Sequence, residues 1–295
     1  MARHETIDVP VDGGTLRVVR WGEGAPVFAA HGITANHLMW KPVAELLGDE
    51  VQIIAPDLRG RGESASLPGP WGMATHVRDA IATLDHLGID RTMVVGGSMG
   101  GYVAVLMAAR HPDRVTSVGL CDGGVAIPVP DGVDPDELLQ ATLGPTFERL
   151  DKTFPSLDEY IGFWREHPAL AEDWNADIEA YVRYDATHAP DGGVRTKVLK
   201  DAIVADGRDL LVNTDVHACI ADISCPTWLL RAPRGLLNQP APLISDEILA
   251  LWRGDRLPQL EEEMLEDLNH FTLFLERRGA AIIADKIRTS VLAHA

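Results

Sequence analysis

The chain has 295 residues, which is enough for one large α/β domain with an insertion or for two small domains. Hydrophobic residues make up 46% of the sequence, so a sizeable core can be buried. The formal net charge of −18 argues against nucleic acid or an anionic membrane surface as a partner, because both would repel the protein.

No export or membrane signal is recognisable in the sequence. The first ten residues lack the apolar stretch of a secretory signal, and no run of about 18 apolar residues could span a bilayer. We therefore expect a cytoplasmic protein whose three cysteines are free thiols. His217, Cys219 and Cys225 suggest metal ligands, but no second close pair completes a four-ligand set, so no metal is expected.

Strands and helices are predicted to alternate along the first 125 residues. Short apolar runs predict strands at 15–21, 27–30, 51–55, 92–95 and 115–121, and helical patterns lie between them at 38–47, 75–87 and 103–110. The first of these strands is expected to be antiparallel. This order predicts an α/β fold with a mostly parallel central sheet flanked by helices.

The alternation breaks after Val125. Residues 126–217 contain prolines and many aromatic residues at helical spacing, with no clear buried strand. Strands are again predicted at 227–231 and 264–268, and a last helix at 280–291. We therefore expect a helical lid, inserted after the sixth strand, between a first core part (1–125) and a second core part (218–295). A second helical domain with no bearing on the site is the alternative.

The segment Gly96-Gly97-Ser98-Met99-Gly100 fits the G-x-S-x-G pattern of a nucleophile elbow. A serine at a tight strand-to-helix turn has a strained backbone, so its neighbours two positions away must be small. A predicted strand before the pattern and a helix after it favour this interpretation over a glycine-rich turn that happens to contain serine.

A serine nucleophile needs a base, and His270 is the best placed of the 11 histidines. It lies between a late strand and the last helix, so it can reach the edge of the sheet where the elbow lies. The tetrahedral intermediate also needs two donors for its oxyanion. The candidates are the backbone N–H groups of Met99, which follows the nucleophile, and of Ile33, in the loop after strand 27–30.

Four segments in this order resemble the α/β-hydrolase fold superfamily, in particular its lidded esterase, lactonase and haloperoxidase-like branch. They are His31-Gly32-Ile33, residues 57–64, residues 96–101 and Asn269-His270. The resemblance covers about residues 15–125 and 218–295. It implies Ser98 as nucleophile, His270 as base and the two oxyanion donors. Epoxide hydrolases and haloalkane dehalogenases are disfavoured, because they carry aspartate at the elbow.

The acid of the triad departs from the usual pattern of this superfamily. No carboxylate follows strand 227–231 until Asp246, and Asn238 could orient an imidazole without stabilising its charged form. Some members place the acid one strand earlier, where this chain has Asp122. We favour Asp122, although an ordinary Asp-Gly turn is the alternative. His37, Trp40 and Asn238 are further candidates for the pocket lining, with a core role equally open for Trp40.

The sequence predicts a serine hydrolase that cleaves a carboxylic ester or lactone of a small, fairly apolar substrate through an acyl-Ser98 intermediate. Carbon–carbon bond hydrolysis and cofactor-free perhydrolysis on the same site are the alternatives among enzymes. A hydrolase-like small-molecule binding protein with little turnover is the alternative outside enzymes. The expected partner is a small-molecule substrate, no cofactor is implied, and a homodimer is left open.

Overall fold

The computed structural model describes residues 4–130, 132–190, 192–252 and 257–293. Ten strands are found in them: β1 His4–Val11, β2 Gly14–Trp21, β3 Ala25–Ala30, β4 Val51–Pro56, β5 Thr92–Gly97, β6 Val115–Cys121, β7 Ala186–His188, β8 Val194–Thr196, β9 Thr227–Arg231 and β10 Leu260–Met264. Eight of them form one sheet in the order β1-β2-β4-β3-β5-β6-β9-β10. β2 pairs antiparallel with β1 and β4, and all other neighbours in this sheet are parallel.

Helices cover both faces of the sheet. Their bounds are α1 Lys41–Leu47, α2 Met73–His86, α3 Met99–Arg110, α4 Pro135–Leu150, α5 Leu157–Arg165, α6 Ala176–Asp185, α7 Lys200–Val212, α8 Thr214–Ala218, α9 Asp246–Ala250, α10 Thr272–Leu275 and α11 Arg277–Leu292. Alternate residues of each central strand face opposite sides. In β3, Val27 packs into one apolar cluster with α1 and α11, and Phe28 packs into the other with α2 and α3. The predicted mostly parallel α/β sheet is thereby confirmed.

Two predicted elements differ in the structure. The last strand was expected at 264–268 but lies at Leu260–Met264, where it pairs in parallel with β9 at the edge of the sheet. An edge strand has one solvated side and therefore tolerates the three successive glutamates Glu261, Glu262 and Glu263, which concealed this strand in the sequence. The helix expected at 38–47 divides into a 3-10 turn, His37–Trp40, and α1, because Pro42 favours a new helical start.

The segment between β6 and β9 holds α4 to α8 and is called the insertion below. It also contains the short antiparallel pair β7 and β8, although no strand was expected there. The insertion is tied to the core by polar contacts, including those from Tyr184 to Asp57 and from Gly72 to Asp206. The insertion therefore lies over the edge of the sheet at which β3, β5 and β6 end. Across the described ranges, no helix is sufficiently long and apolar to cross a bilayer.

Candidate active site

Ser98 lies at a sharp turn between β5 and α3. Its backbone has φ 53° and ψ −121°, a conformation that residues other than glycine rarely adopt. Neighbouring backbone segments leave no room for a side chain at Gly96 or Gly100, the two outer glycines of the pattern. A Cβ at Gly96 would lie 2.0 Å from the Gly100 carbonyl oxygen, and one at Gly100 would lie 2.1 Å from the Ala30 carbonyl oxygen. The G-x-S-x-G pattern thus encodes a close crossing of two backbone segments, with Ser98 half-buried at its tip.

His270 contacts the carboxylate of Asp122 directly. The distance from His270 Nδ1 to Asp122 Oδ2 is 2.6 Å, and both side chains are buried. Because a carboxylate only accepts, Nδ1 carries the ring proton and Nε2 remains able to accept one. Both His270 and Ser98 border the same cavity.

Asp122 is held rigidly at the end of β6. Its φ is 47°, its Oδ1 accepts a hydrogen bond from the N–H of Ala232 at 3.2 Å, and its own N–H donates to the Leu230 carbonyl at 2.8 Å. The carboxylate is therefore fixed to β9 on one side and to His270 on the other. Such a buried and oriented anion suits the task of stabilising an imidazolium.

The loop that carries His270 is ordered by Asn269. Asn269 Oδ1 accepts from the N–H groups of Phe271 and Thr272, both at 2.9 Å, and its Nδ2 donates to the Ala169 carbonyl at 3.0 Å in the insertion. The His270 N–H donates to the Arg234 carbonyl at 3.1 Å. These contacts fix the loop of His270 against both the core and the insertion.

The loop after β3 is held by a neutral histidine. His31 Nε2 accepts from the N–H of Leu58 at 2.9 Å, so Nδ1 carries the proton and donates to the Gly32 carbonyl at 2.8 Å. The Ala35 N–H donates to the same carbonyl at 3.2 Å. Complete burial lowers the pKa of His31 to about 3. Since a trans peptide points its C=O and N–H in opposite directions, fixing the Gly32 carbonyl also fixes the N–H of Ile33.

Arg61 connects this loop to the elbow and to the insertion. Its Nε donates to the Ile33 carbonyl at 2.8 Å, its Nη2 lies 3.8 Å from the Met99 sulfur, and its Nη1 pairs with Asp206 of α7. Arg61 and Asp206 are fully buried, and His76 Nε2 also contacts Asp206 at 2.9 Å. The neighbouring Arg61 and His76 hold the pKa of Asp206 well below its usual range, against the opposing effect of burial.

A cavity of about 160 Å³ lies between the core and the insertion. Its wall has no Asp, Glu, Lys or Arg side chain among the described residues and is mostly apolar. Its lining includes residues at strand ends (Gly32, Ser98, Gly123), residues of the insertion (Leu139, Leu143, His167, Gly207, Leu211) and residues that follow β9 in the chain (Leu236, Leu237, Ile244, His270, Phe274). An apolar pocket with a few convergent polar groups is typical of small-molecule sites.

A protein-family model described as the alpha/beta hydrolase fold matches residues 25–177. The chain belongs to the α/β-hydrolase fold family. "Lipase LipV" from Mycobacterium tuberculosis (strain ATCC 25618 / H37Rv) is 31% identical over 80% of this chain and 83% of the relative.

Two solved structures have a fold similar to that of this chain. That of E-2-(acetamidomethylene)succinate hydrolase has a TM-score of 0.79 at 22% identity, covering 98% of this chain and 99% of the other. That of a thermophilic esterase from Thermogutta terrifontis, with malate bound, has a TM-score of 0.67 at 26% identity, again over 98% and 99% of the two chains. The resemblance seen in the sequence is confirmed.

Three residues proposed for the pocket of this hydrolase lie elsewhere. His37 Nδ1 is 2.8 Å from Asp57 Oδ1, Trp40 is fully buried with its ring 5.6 Å from that of Phe274, and Asn238 Oδ1 accepts from Asn269 at 3.2 Å. None of the three lines the cavity. His37 and Trp40 lie on the 3-10 turn whose Met39 reaches the cavity instead, and Asn238 is hydrogen-bonded to Asn269, the residue before His270.

Within the described ranges, no three His, Cys, Asp or Glu side chains are grouped as metal ligands would be. His217 Nε2 contacts the Leu210 carbonyl, and Cys219 is buried with its thiol on the Val216 carbonyl. Sequence reasoning gave no place to Asp206 and His167 and missed the contacts of Asn269, although Asn269 was part of a recognised motif. All three residues join the insertion to the site. Asn269 carried one signal, since an asparagine just before a helix favours a capping role.

Proposed function

We propose that this α/β hydrolase cleaves a carboxylic ester or lactone of a small, fairly apolar substrate through an acyl-Ser98 intermediate. One observation carries the proposal: His270, which borders the cavity with Ser98, holds its Nδ1 2.6 Å from the buried carboxylate of Asp122. This arrangement leaves His270 Nε2 to act as the base of a Ser-His-Asp triad.

In the acylation step, Ser98 Oγ attacks the carbonyl carbon while His270 Nε2 takes the hydroxyl proton. The new carbon–oxygen bond converts the carbonyl into a tetrahedral oxyanion. As the intermediate collapses, the bond to the leaving alcohol breaks and His270 returns its proton to the alcohol oxygen. Asp122 stabilises the imidazolium that exists between these two transfers.

The N–H groups of Met99 and Ile33 would stabilise the oxyanion. Met99 is the first residue of α3, so its N–H has no intrahelical acceptor and the positive end of the helix dipole lies there. The Ile33 N–H is aimed by the bonds that His31 and Ala35 make to the Gly32 carbonyl. Donors that are already fixed need no reorganisation as charge develops, which makes their stabilisation of the transition state large.

In the deacylation step, His270 removes a proton from water, whose oxygen attacks the acyl carbon. Collapse of the second oxyanion breaks the bond to Ser98 Oγ, returns the proton to that oxygen and releases the carboxylic acid. The insertion acts as a lid in this proposal, because its apolar residues form one wall of the cavity and exclude bulk water. A cavity near 160 Å³ suits an acyl or alcohol group about the size of a benzene ring.

We prefer ester cleavage over carbon–carbon hydrolysis and perhydrolysis, the other reactions that Ser98, His270 and Asp122 could support. A relative matching most of the chain is named a lipase, and a solved structure of similar fold is described as an esterase. The contact of His270 with the Asp122 carboxylate also favours turnover over passive binding, because binding alone does not require an imidazole oriented as a general base.

Hydrolysis of p-nitrophenyl esters and of simple lactones tests this proposal. We expect wild-type turnover, and Ser98→Ala should reduce it to the background rate. Ser66→Ala, at an exposed serine outside the cavity, is the matched control and should match wild type. Folded wild-type protein without turnover of any such ester or lactone would contradict the proposal, and cleavage of a 1,3-diketone instead, which releases a stabilised enolate, would favour carbon–carbon hydrolysis.

A further inference from the structure

A second histidine, His167, borders the cavity from the insertion side. It follows α5 and is half-buried. Its ring centroid lies 5.5 Å from that of Trp164 and 5.2 Å from that of Phe271, the residue next to the base. Two aromatic rings therefore restrict the orientation of this imidazole.

The proton of the His167 ring can be assigned from one hydrogen bond. Nδ1 accepts from the N–H of Ala169 at 3.2 Å, so a neutral ring carries its proton on Nε2. Nothing in the described part of the chain accepts a hydrogen bond from that Nε2. Burial, assisted by the positive charge of Arg149, lowers the pKa of His167 to about 4, so the ring is neutral near pH 7.

His167 is held at a fixed place relative to the base loop. The Ala169 N–H bonds to His167, and the Ala169 carbonyl accepts from Asn269 Nδ2 at 3.0 Å, directly before His270. Trp164 is flanked by His167 and by the guanidinium of Arg149, which lies 4.8 Å from one of the Trp164 ring centroids. The imidazole, which borders the mostly apolar cavity, is therefore held in a fixed position, and the charge of Arg149 is balanced by its ion pair with Asp185.

We propose that His167 is a specificity-determining residue whose Nε2–H donates to a neutral oxygen that the substrate carries beyond its scissile ester. This inference rests on the proposed esterase function and narrows it to esters bearing a second acceptor, such as a ketone. A carboxylate is a poorer fit, because no cationic side chain lines the cavity within the described residues and the anion would lose its hydration. A plain hydrocarbon group would leave the donor without a partner, which is costly.

Two pairs of esters, each differing by one ketone oxygen, test the proposal. The acyl pair is ethyl hexanoate and ethyl 5-oxohexanoate, and the alcohol pair is pentyl butanoate and 4-oxopentyl butanoate. In at least one pair, we expect His167→Phe to lower the oxo-to-plain ratio of kcat/KM by about three- to tenfold, the usual effect of one neutral hydrogen bond. His167→Gln, which retains a donor, should restore part of the ratio. His86→Gln, at an exposed histidine of α2, is the control and should keep the wild-type ratio.

Binding to Ser98→Ala, measured by titration calorimetry with the same four esters, makes the test independent of turnover. The oxo-to-plain affinity ratio should fall similarly when His167→Phe is added. An unchanged ratio in both pairs, or an equal loss for oxo and plain esters, would overturn the role of His167 even if the wild type is an active esterase. A ratio that falls in Ser98→Ala although the wild type cleaves no ester would uphold the donor and reject the esterase function.

Discussion

Asp122 and His270 are 148 positions apart in the chain and meet through a 2.6 Å contact between Oδ2 and Nδ1. The contact joins the end of β6 to the loop before α10. The acid of the proposed triad therefore follows β6, which lies beside the elbow strand β5, instead of β9, where the superfamily more often has it. Asn238, the alternative group for orienting the imidazole, accepts a hydrogen bond from Asn269 instead.

Asp122→Asn should lower kcat for p-nitrophenyl esters by about 10³- to 10⁴-fold, because the amide neither holds the reactive tautomer nor stabilises the imidazolium. Steady-state kinetics with circular dichroism as a check on folding would measure this. Asn238→Ala is the matched control, and its kcat should stay within about threefold of wild type. Near-wild-type turnover of Asp122→Asn together with loss in Asn238→Ala would assign the orienting role to Asn238.

Asp206→Asn should weaken both folding and catalysis. The substitution leaves the buried charge of Arg61 without its partner, so we expect the free energy of unfolding to fall by about 3 kcal/mol in urea titrations. Because Arg61 also holds the Ile33 carbonyl, kcat should fall more than KM rises. Asp136→Asn, in an exposed pair with Arg208, is the control and should cost at most about 1 kcal/mol. Equal effects of the two substitutions would contradict the account of Arg61.

Stability should decrease as the pH falls from 7.5 to 5, partly through His31. The pKa of His31 is about 3 in the folded protein and about 6.5 in an unfolded chain. The unfolded state therefore takes up a proton first, and the contribution of this group is lost as the pH falls below 6.5. One such histidine accounts for about 2 kcal/mol over this interval.

Urea unfolding at several pH values would measure the effect of His31. His31→Gln should be less stable than wild type at pH 7.5 but should lose less stability on acidification. His86→Gln, at an exposed position, is the control and should follow the wild-type slope. An unchanged slope in His31→Gln would show that His31 is not the titrating group.

Leu143→Phe should shift the preference for acyl length towards shorter chains. Leu143 of α4 lines the cavity, and a larger ring there reduces the space for substrate. We expect the octanoate-to-acetate ratio of kcat/KM to fall by about tenfold, consistent with one or two displaced methylenes. Leu251→Phe, at an exposed leucine, serves as the control. A ratio that does not move would place the acyl group away from α4.

The parts of the site that follow from strand ends could be predicted from sequence. Glycines at 96 and 100 are required wherever chains cross so closely, and they identified Ser98. The need for a buried anion pointed to Asp122, because no carboxylate follows β9 until Asp246 and some members of the superfamily place the acid one strand earlier. The first inference depends on local geometry, and the second depends also on the resemblance to the superfamily.

The parts that depend on how the insertion packs could not be predicted. Helical spacing in the insertion shows which residues are apolar, but it does not show which of them face the cavity. His167 and Asp206 therefore gave no signal of their place. Trp40, in contrast, was assigned to the pocket although it does not line it. Its closeness in sequence to Ile33 suggested the pocket, whereas a 3-10 turn directs its ring into the core beside Phe274.

Covalent labelling of the wild-type protein with a fluorophosphonate, mapped by peptide mass spectrometry, tests the central claim most directly. A serine activated by His270 and facing the cavity should carry the adduct on Ser98, and the label should be absent in Ser98→Ala. In His270→Ala, labelling should slow by at least about 100-fold, because the general base is lost. Folded wild-type protein that stays unlabelled, or an adduct on a residue other than Ser98, would contradict the account.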